Sequence, residues 1–265
     1  MQIGSGTRAL VTGASRGIGR AVAHALAERG ATVGLAARST GELEALAREL
    51  PGTHHPLTCD VALPASIATA VEEFAAAAGG LDLLVANAGI AYYEPIVTQS
   101  LDKIELMTEV NWLGTVYTVK AALPFLLEAG GGGHIVVMSS GAGLRGFPGA
   151  AAYSATKAAQ RMFAEALRHE LAGTGVSVTT VFPGEVRTSL HDHEGTQMPR
   201  WYRGGPNAAS ADVLAARILT AVQRDSRQLH YRPVVKHMGI LNGVSPGIAD
   251  RVLRRLRGES AAPRR

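Results

Sequence analysis

The chain has 265 residues, of which 46% are hydrophobic and 18% charged, and it carries a formal net charge of +4. That length can bury a substantial core, and it suits one large α/β domain, a class that often runs to about 250 residues without dividing. The balance is that of a globular, soluble chain, and no stretch approaches the roughly eighteen uninterrupted apolar residues of a membrane span.

The start, Met1-Gln2-Ile3-Gly4-Ser5-Gly6, has no apolar run of signal-peptide length, so a cytoplasmic location is expected. Cys59 is the only cysteine, which excludes an internal disulfide and points to a reducing compartment. Its simplest role is a small buried residue on a strand. Charge is uneven. Residues 224–265 hold ten Lys/Arg against three Asp/Glu, and the remainder holds sixteen against nineteen. A basic end is compatible with nucleic acid, but a solvated tail accounts for it more simply, and no nucleic-acid partner is expected. The last residues, 258–265, read as a disordered tail.

In chain order, short β-rich runs alternate with longer helical patterns. The strands expected are Arg8–Val11, Thr32–Ala36, His55–Cys59, Leu81–Ala86, His134–Ser139, Ser177–Phe182 and a weaker one at Leu229–Arg232. Between them, helices are expected over 17–29, 40–50, 64–78, 101–128, 153–171 and 209–224. Pro124 should kink or shorten the fourth of these. Such alternation predicts a doubly wound parallel sheet of about seven strands, with helices on both faces. Near-continuous apolar strands such as Ile135-Val136-Val137-Met138 fit burial on both sides. No repeat or linker divides the chain, so residues 1–257 read as one domain.

Tyr153 and Lys157 are four residues apart, which puts both on one face of the expected helix. A phenol with a reference pKa of about 10 is a poor acid–base group near neutrality. A neighbouring ammonium favours the phenolate and is expected to lower that pKa. Ser140 stands thirteen residues before the tyrosine and offers a hydroxyl to hold a substrate oxygen beside the phenol. Ser139 competes, but alternation along a strand sends neighbouring side chains to opposite faces, so only one of the two enters the site. The pattern suits proton transfer to or from a carbonyl or alcohol.

The segment Ala9-Leu10-Val11 runs into Thr12-Gly13-Ala14-Ser15-Arg16-Gly17-Ile18-Gly19, which opens a helix. Glycine lets backbone approach a pyrophosphate, and the helix N-terminus offers free N–H groups and the positive end of its dipole. Asn87-Ala88-Gly89, Asn111 and Pro183-Gly184 follow at ordered positions. Together with Ser140, Tyr153 and Lys157, these motifs resemble the short-chain dehydrogenase/reductase family over roughly residues 7–190.

The resemblance implies a seven-stranded Rossmann-type sheet in the order 3-2-1-4-5-6-7. It implies Tyr153 as general acid in reduction and general base in oxidation, and Lys157 as the residue that lowers its pKa and holds the nicotinamide ribose. Ser140 would polarise the substrate carbonyl, and Asn111 would support a water chain leading from the lysine. Cofactor contacts are implied at Gly13, Ser15, Arg16, Gly17, Ile18, Gly19, Asp60, Val61, Asn87, Ala88, Gly89, Pro183, Gly184, Val186 and Thr188. Asp60 is expected at the adenine amine, with capping of the following helix as the other reading.

The second strand should set cofactor choice. An acidic residue at its end would bond a ribose 2′-hydroxyl. Ala37 stands there, followed by Arg38, and Arg16 lies in the glycine-rich turn. Two guanidinium groups hold a 2′-phosphate, so NADP(H) is expected over NAD(H).

Residues 189–209 correspond to the family's lid. Met198, Trp201 and Tyr202 there either face an apolar substrate or staple the lid to the body. Leu144 and Phe147 are expected to add an apolar wall. His191-Asp192-His193-Glu194 lacks typical zinc spacing, and no metal is expected. The ending from Arg232 through Leu256 is more similar to family members acting on lipophilic alcohols and ketones than to the fatty-acid-synthesis ketoreductases. Its last part reads as a basic amphipathic helix, either packed on the protein or touching a membrane surface. The resemblance also implies a homodimer or homotetramer built on helices 101–128 and 153–171. The overall expectation is a carbonyl/alcohol oxidoreductase acting on a small molecule. The alternatives are a retired nucleotide-binding scaffold and an imine reductase.

Overall fold

The computed structural model describes residues 1–130, 132–187 and 208–257. Seven strands form one sheet: β1 (Arg8–Thr12), β2 (Thr32–Ala37), β3 (His54–Thr58), β4 (Leu83–Ala86), β5 (His134–Met138), β6 (Ser177–Phe182) and β7 (Gln228–His230). Their order is β3-β2-β1-β4-β5-β6-β7. Every adjacent pair is parallel, as expected when each strand is followed by a crossover.

The helices are α1 (Gly17–Ala27), α2 (Thr40–Glu49), α3 (Pro64–Ala78), α4 (Leu101–Met107), α5 (Gly114–Leu127), α6 (Ala151–Glu170), α7 (Ala211–Gln223), α8 (Pro233–Val244) and α9 (Pro246–Arg257). Strand alternation divides the apolar side chains into two cores. Ala9 and Val11 of β1, with Val136 and Met138 of β5, face α1, α2 and α7. Leu10, Ile135 and Val137 face the other way, against Ile67 and Phe74 of α3, Val119 of α5 and Leu167 of α6. Continuous apolar runs such as Ile135–Met138 are thus buried from both sides. At Gly34, in the middle of β2, an added Cβ would lie 2.7 Å from both Leu10 and Phe74, so α3 sits against bare backbone there.

Expected and observed elements differ in places. Strand and helix ends move by one or two residues, and β7 is Gln228–His230 rather than Leu229–Arg232. Arg232 instead adopts φ 87° at the entry to α8. The single helix expected over 101–128 is interrupted by a π-helical turn over Thr108–Leu113. The extra residue in that turn directs Asn111 inward, where it is fully buried. Pro124 lies inside α5, which runs on to Leu127. The C-terminal segment forms two helices, α8 and α9, where the sequence pattern pointed only to the second. The expected lid lies outside the described residues except for Ala208 and Ala209, and the expected tail lies outside them entirely. No helix among the described residues is long and apolar enough to cross a membrane.

At the start of β5, His134 is buried and its Nε2 lies 2.8 Å from Thr179 Oγ1. Burial pushes its pKa down from 6.5 to about 4, although Asp225 opposes this. The unfolded chain therefore takes up a proton that the folded chain refuses as pH falls from 6.5 toward 4. That window should cost on the order of 3 kcal/mol of stability. Urea unfolding at pH 7 and at pH 4.5 should show a smaller acid loss for His134→Gln than for the parent.

Candidate active site

A cleft of ≈ 650 Å³ opens at the carboxyl ends of the strands. Gly13, Arg38, Asp60, Asn87, Ser139 and Pro183 line it, each from the segment leaving a different strand from β1 to β6. The crossovers leave β1 and β4 toward opposite faces, and a crevice between such strands is where doubly wound sheets bind ligands.

The turn after β1 is built for close approach. Gly13 and Gly17 have φ 66° and 57°, in the left-handed region that favours glycine. A Cβ on Gly13 would lie 2.9 Å from Ala88 Cα, and one on Gly19 would lie 2.1 Å from Gly13 O. Gly19 thus packs beneath the turn and, unlike the other expected contacts among the described residues, does not line the cleft. No side chain caps α1, and Gly17 and Ile18 of its first turn line the cleft, so its N-terminus presents backbone N–H groups to a ligand. Thr12 and Asn87 pin the turn to β4. Asn87 Nδ2 donates to Thr12 O at 2.9 Å, and the N–H groups of Asn87 and Ala88 donate to Thr12 Oγ1 at 3.0 and 3.2 Å.

Farther along, Asp60 Oδ1 accepts from Ala62 N at 3.0 Å. Asp60 therefore shapes its own loop and does not cap α3, whose N-cap position is Leu63 with Pro64 following. Cys59 lies just past β3 instead of within it, and burial pushes its thiol up to about 11. The two exposed arginines, Arg16 and Arg38, line the end of the cleft formed after β1 and β2. Glycine-lined backbone, helix N–H groups and two arginines form a donor set that fits a dinucleotide.

At the other end, α6 presents Tyr153 and Lys157 to the cleft, one turn apart. Both serines after β5 reach the region, with separate tasks. Ser139 is buried and donates to Lys157 O at 2.7 Å, fastening α6 to β5. Ser140 Oγ accepts from Ala142 N at 3.2 Å and lines the cleft together with Tyr153. Gly143 allows the approach, since a Cβ there would lie 2.6 Å from both Lys157 O and Ser139 Oγ.

The electrostatics depart from expectation. Burial raises the Tyr153 pKa above its usual value, with hydrogen bonds to Ser140 and Tyr93 opposing the shift. The amine expected to lower it is hydrogen-bonded to the main chain and lies over the ring. Lys157 Nζ donates to Met138 O at 2.9 Å and lies 5.8 Å from the centre of the Tyr153 ring. Burial also pushes Lys157 down to about 7. Desolvation is the leading cause at both groups.

Asn111 stands behind the cleft wall as a tie between segments. Its Oδ1 accepts from Ile90 N at 2.8 Å, and its Nδ2 donates to Ile90 O at 2.9 Å and to Thr156 Oγ1 at 3.1 Å. Its main-chain carbonyl accepts from Thr115 Oγ1 and from Gln160 Nε2, each at 2.7 Å. Two donors thus occupy this carbonyl. Gln160 carried no sequence signal beyond its place one turn after Lys157.

Phe147 lines the cleft as expected, but Leu144 does not. It packs toward α8, where a Cβ on Gly239 would lie 3.2 Å from Leu144 Cδ1. Tyr92, Tyr93, Leu106, Val110 and Val235 supply further walls that the motifs did not reveal. Thr188, Met198, Trp201, Tyr202 and the 191–194 cluster lie outside the described residues.

Comparison with known proteins agrees with this geometry. The family model described as short chain dehydrogenase matches residues 7–199. An uncharacterized oxidoreductase of Myxococcus xanthus is 41% identical over 194 residues, 72% of this chain and 76% of the relative. Dehydrogenase/reductase SDR family member 7B of Mus musculus is 33% identical over 256 residues, 92% of this chain and 79% of the relative. Among solved structures, an alcohol dehydrogenase from Thermococcus sibiricus complexed with 5-hydroxy-NADP is 30% identical with a TM-score of 0.74, covering 86% of this chain and 97% of the other. A short-chain dehydrogenase/reductase from Burkholderia phymatum in complex with NAD shares the fold at a TM-score of 0.85 and 24% identity, covering 94% of this chain and 96% of the other. A parallel sheet, its glycine-rich turn and a Ser–Tyr–Lys cluster in one cleft thus agree with a match over most of the length, and the chain belongs to the short-chain dehydrogenase/reductase family.

Proposed function

We propose that the protein is an NADP(H)-dependent oxidoreductase that interconverts a carbonyl and an alcohol on an apolar small molecule. The observation that carries this reading is the meeting of Ser140, Tyr153 and Lys157 at one end of a cleft whose other end is lined by the glycine-rich turn, Arg16 and Arg38. A bound nicotinamide dinucleotide supplies the hydride.

Tyr153 donates the proton to the carbonyl oxygen in reduction. Its raised pKa keeps the phenol protonated near neutrality, the form a general acid needs. Ser140, whose oxygen already accepts from Ala142 N, has its own proton to offer the reacting oxygen. Lys157 holds the ribose, and it is the charge that favours the phenolate when the reaction runs toward the carbonyl. Tyr92, Phe147 and Val235 wall the substrate side, which supports an apolar substrate. The intact Ser–Tyr–Lys set argues against a retired scaffold. A panel of ketones, alcohols and imines, followed by cofactor absorbance, separates carbonyl from C=N chemistry.

Tyr153→Phe keeps the ring and should lower turnover at least about 10²-fold, the usual scale for acid–base catalysis, with little change in cofactor affinity. Lys157→Ala should harm both turnover and cofactor binding, and Ser140→Ala chiefly turnover. Steady-state kinetics combined with cofactor titration reads all three, and parent-rate reduction by Tyr153→Phe would end this mechanism.

Cofactor preference is assigned to Arg16 and Arg38. Arg38→Asp should weaken NADPH binding about tenfold or more, by removing one charge-assisted partner of a 2′-phosphate. Parallel titrations with NADPH and NADH test this, and a parent protein that binds NADH more tightly refutes the assignment. We also propose a homodimer or homotetramer. A sedimentation mass of 27.6 kDa across micromolar concentrations would refute that.

A further inference from the structure

We propose that Tyr93 is a second working phenol of this site, a positioning residue that donates a hydrogen bond to the Tyr153 oxygen and stabilises it while the proton is away. The proposal rests on the reading of Tyr153 as the acid–base group.

Geometry comes first. The Tyr93 and Tyr153 rings meet edge to face, with centres 5.5 Å apart and planes at 69°. Both are buried, and both line the cleft. They share a small apolar cluster with Ala91, Met107, Ala142 and Ala150. Ser140 and Tyr93 are the neighbours that oppose the rise of the Tyr153 pKa.

The segment leading into Tyr93 is held at Ile90 and at Tyr92. Asn111 pins Ile90 through both its N–H and its carbonyl. Tyr92 N donates to Met107 Sδ at 3.4 Å, and Gln99 Nε2 donates to Tyr92 O at 3.3 Å. A loop fastened in this way sets the Tyr93 hydroxyl in place before any substrate arrives, and preorganised donors are the effective ones.

The chemistry follows from what each oxygen can do. A neutral phenol both donates and accepts, whereas a phenolate only accepts. When Tyr153 has given its proton to a carbonyl oxygen, its own oxygen, on a buried side chain, needs donors. Lys157 Nζ is committed to Met138 O in this structure, and Ser140 is drawn to the reacting oxygen. The Tyr93 hydroxyl, on the ring packed against Tyr153, is the donor assigned to it here. A hydrogen bond to the charged form favours that form, so Tyr93 offsets part of the burial penalty and eases the oxidation direction most.

Tyr93→Phe keeps the edge-to-face contact and removes only the hydroxyl, while Tyr93→Leu removes ring and hydroxyl together. The full-length protein is labelled at the tyrosine ring carbon bearing oxygen, and the Tyr153 resonance is identified by its loss in Tyr153→Phe. In Tyr93→Phe that resonance should shift at pH 7. The rising limb of the alcohol-oxidation pH profile should move up by about one pH unit, the scale of one hydrogen bond to a charged group. The KM for NADP+ and the melting temperature should stay near the parent values. Tyr93→Leu should move the pH limb at least as far as Tyr93→Phe does. The Tyr93→Phe/Tyr153→Phe pair should be no slower than Tyr153→Phe alone, because the hydroxyl acts through Tyr153. An unmoved resonance or an unmoved pH limb in Tyr93→Phe overturns the proposal. If Tyr153→Phe itself keeps parent activity, the proposed function fails. If Tyr153→Phe is impaired while Tyr93→Phe matches the parent, only the role of Tyr93 fails.

Discussion

The site depends on the tie between the ends of β1 and β4. Neighbouring crossovers leave these strands in opposite directions, and the sheet must part there without losing its backbone hydrogen bonds. Thr12 and Asn87 hold the parting. One hydroxyl accepts from two successive N–H groups, and one amide donates to the carbonyl that opens the glycine-rich turn. The turn is thereby pressed so close to Ala88 and Asn87 that Gly13 and Gly19 admit no side chain. Every other contact in the cleft is placed relative to this junction.

A second constraint is the cost of burying charge. Tyr153 and Lys157 are both almost wholly enclosed, and enclosure disfavours the ionised form of each. A Tyr–Lys pair in water would be read as an ammonium lowering a phenol. Within this fold the amine is depressed to about 7 and bonded to a main-chain carbonyl, and the phenol is raised. The neighbours that oppose the rise at the phenol are uncharged, Ser140 and Tyr93.

The C-terminal helices act on the same cleft from outside. Val235 of α8 lines it, and a Cβ on Gly184 would meet Val235 at 3.1 Å. Arg145, from the loop after Ser140, is buried between these helices. It donates to Asn242 Oδ1 at 2.8 Å and pairs with Asp250. The loop between Ser140 and Tyr153 is therefore anchored to α8 and α9, which explains why Leu144 turns toward Gly239 while Phe147 faces the cleft.

Much of this was legible in the sequence, because the signals were local or carried by ordered spacing. Alternating strands and helices implied the parallel sheet. The glycine turn placed Gly13 and Gly17 where backbone must approach a ligand, and thirteen- and four-residue spacings brought Ser140, Tyr153 and Lys157 together. What the tertiary structure alone decided were relations between distant segments. The π turn at Asn111 follows from partners on segment 90 and on α6, as well as from Thr115 close by in sequence. Gln160 and Tyr93 matter through what they touch, and neither has a spacing that announces it. The direction of the Tyr153 shift depends on how much water the fold removes, a property of enclosure from all sides that no local pattern of residues encodes.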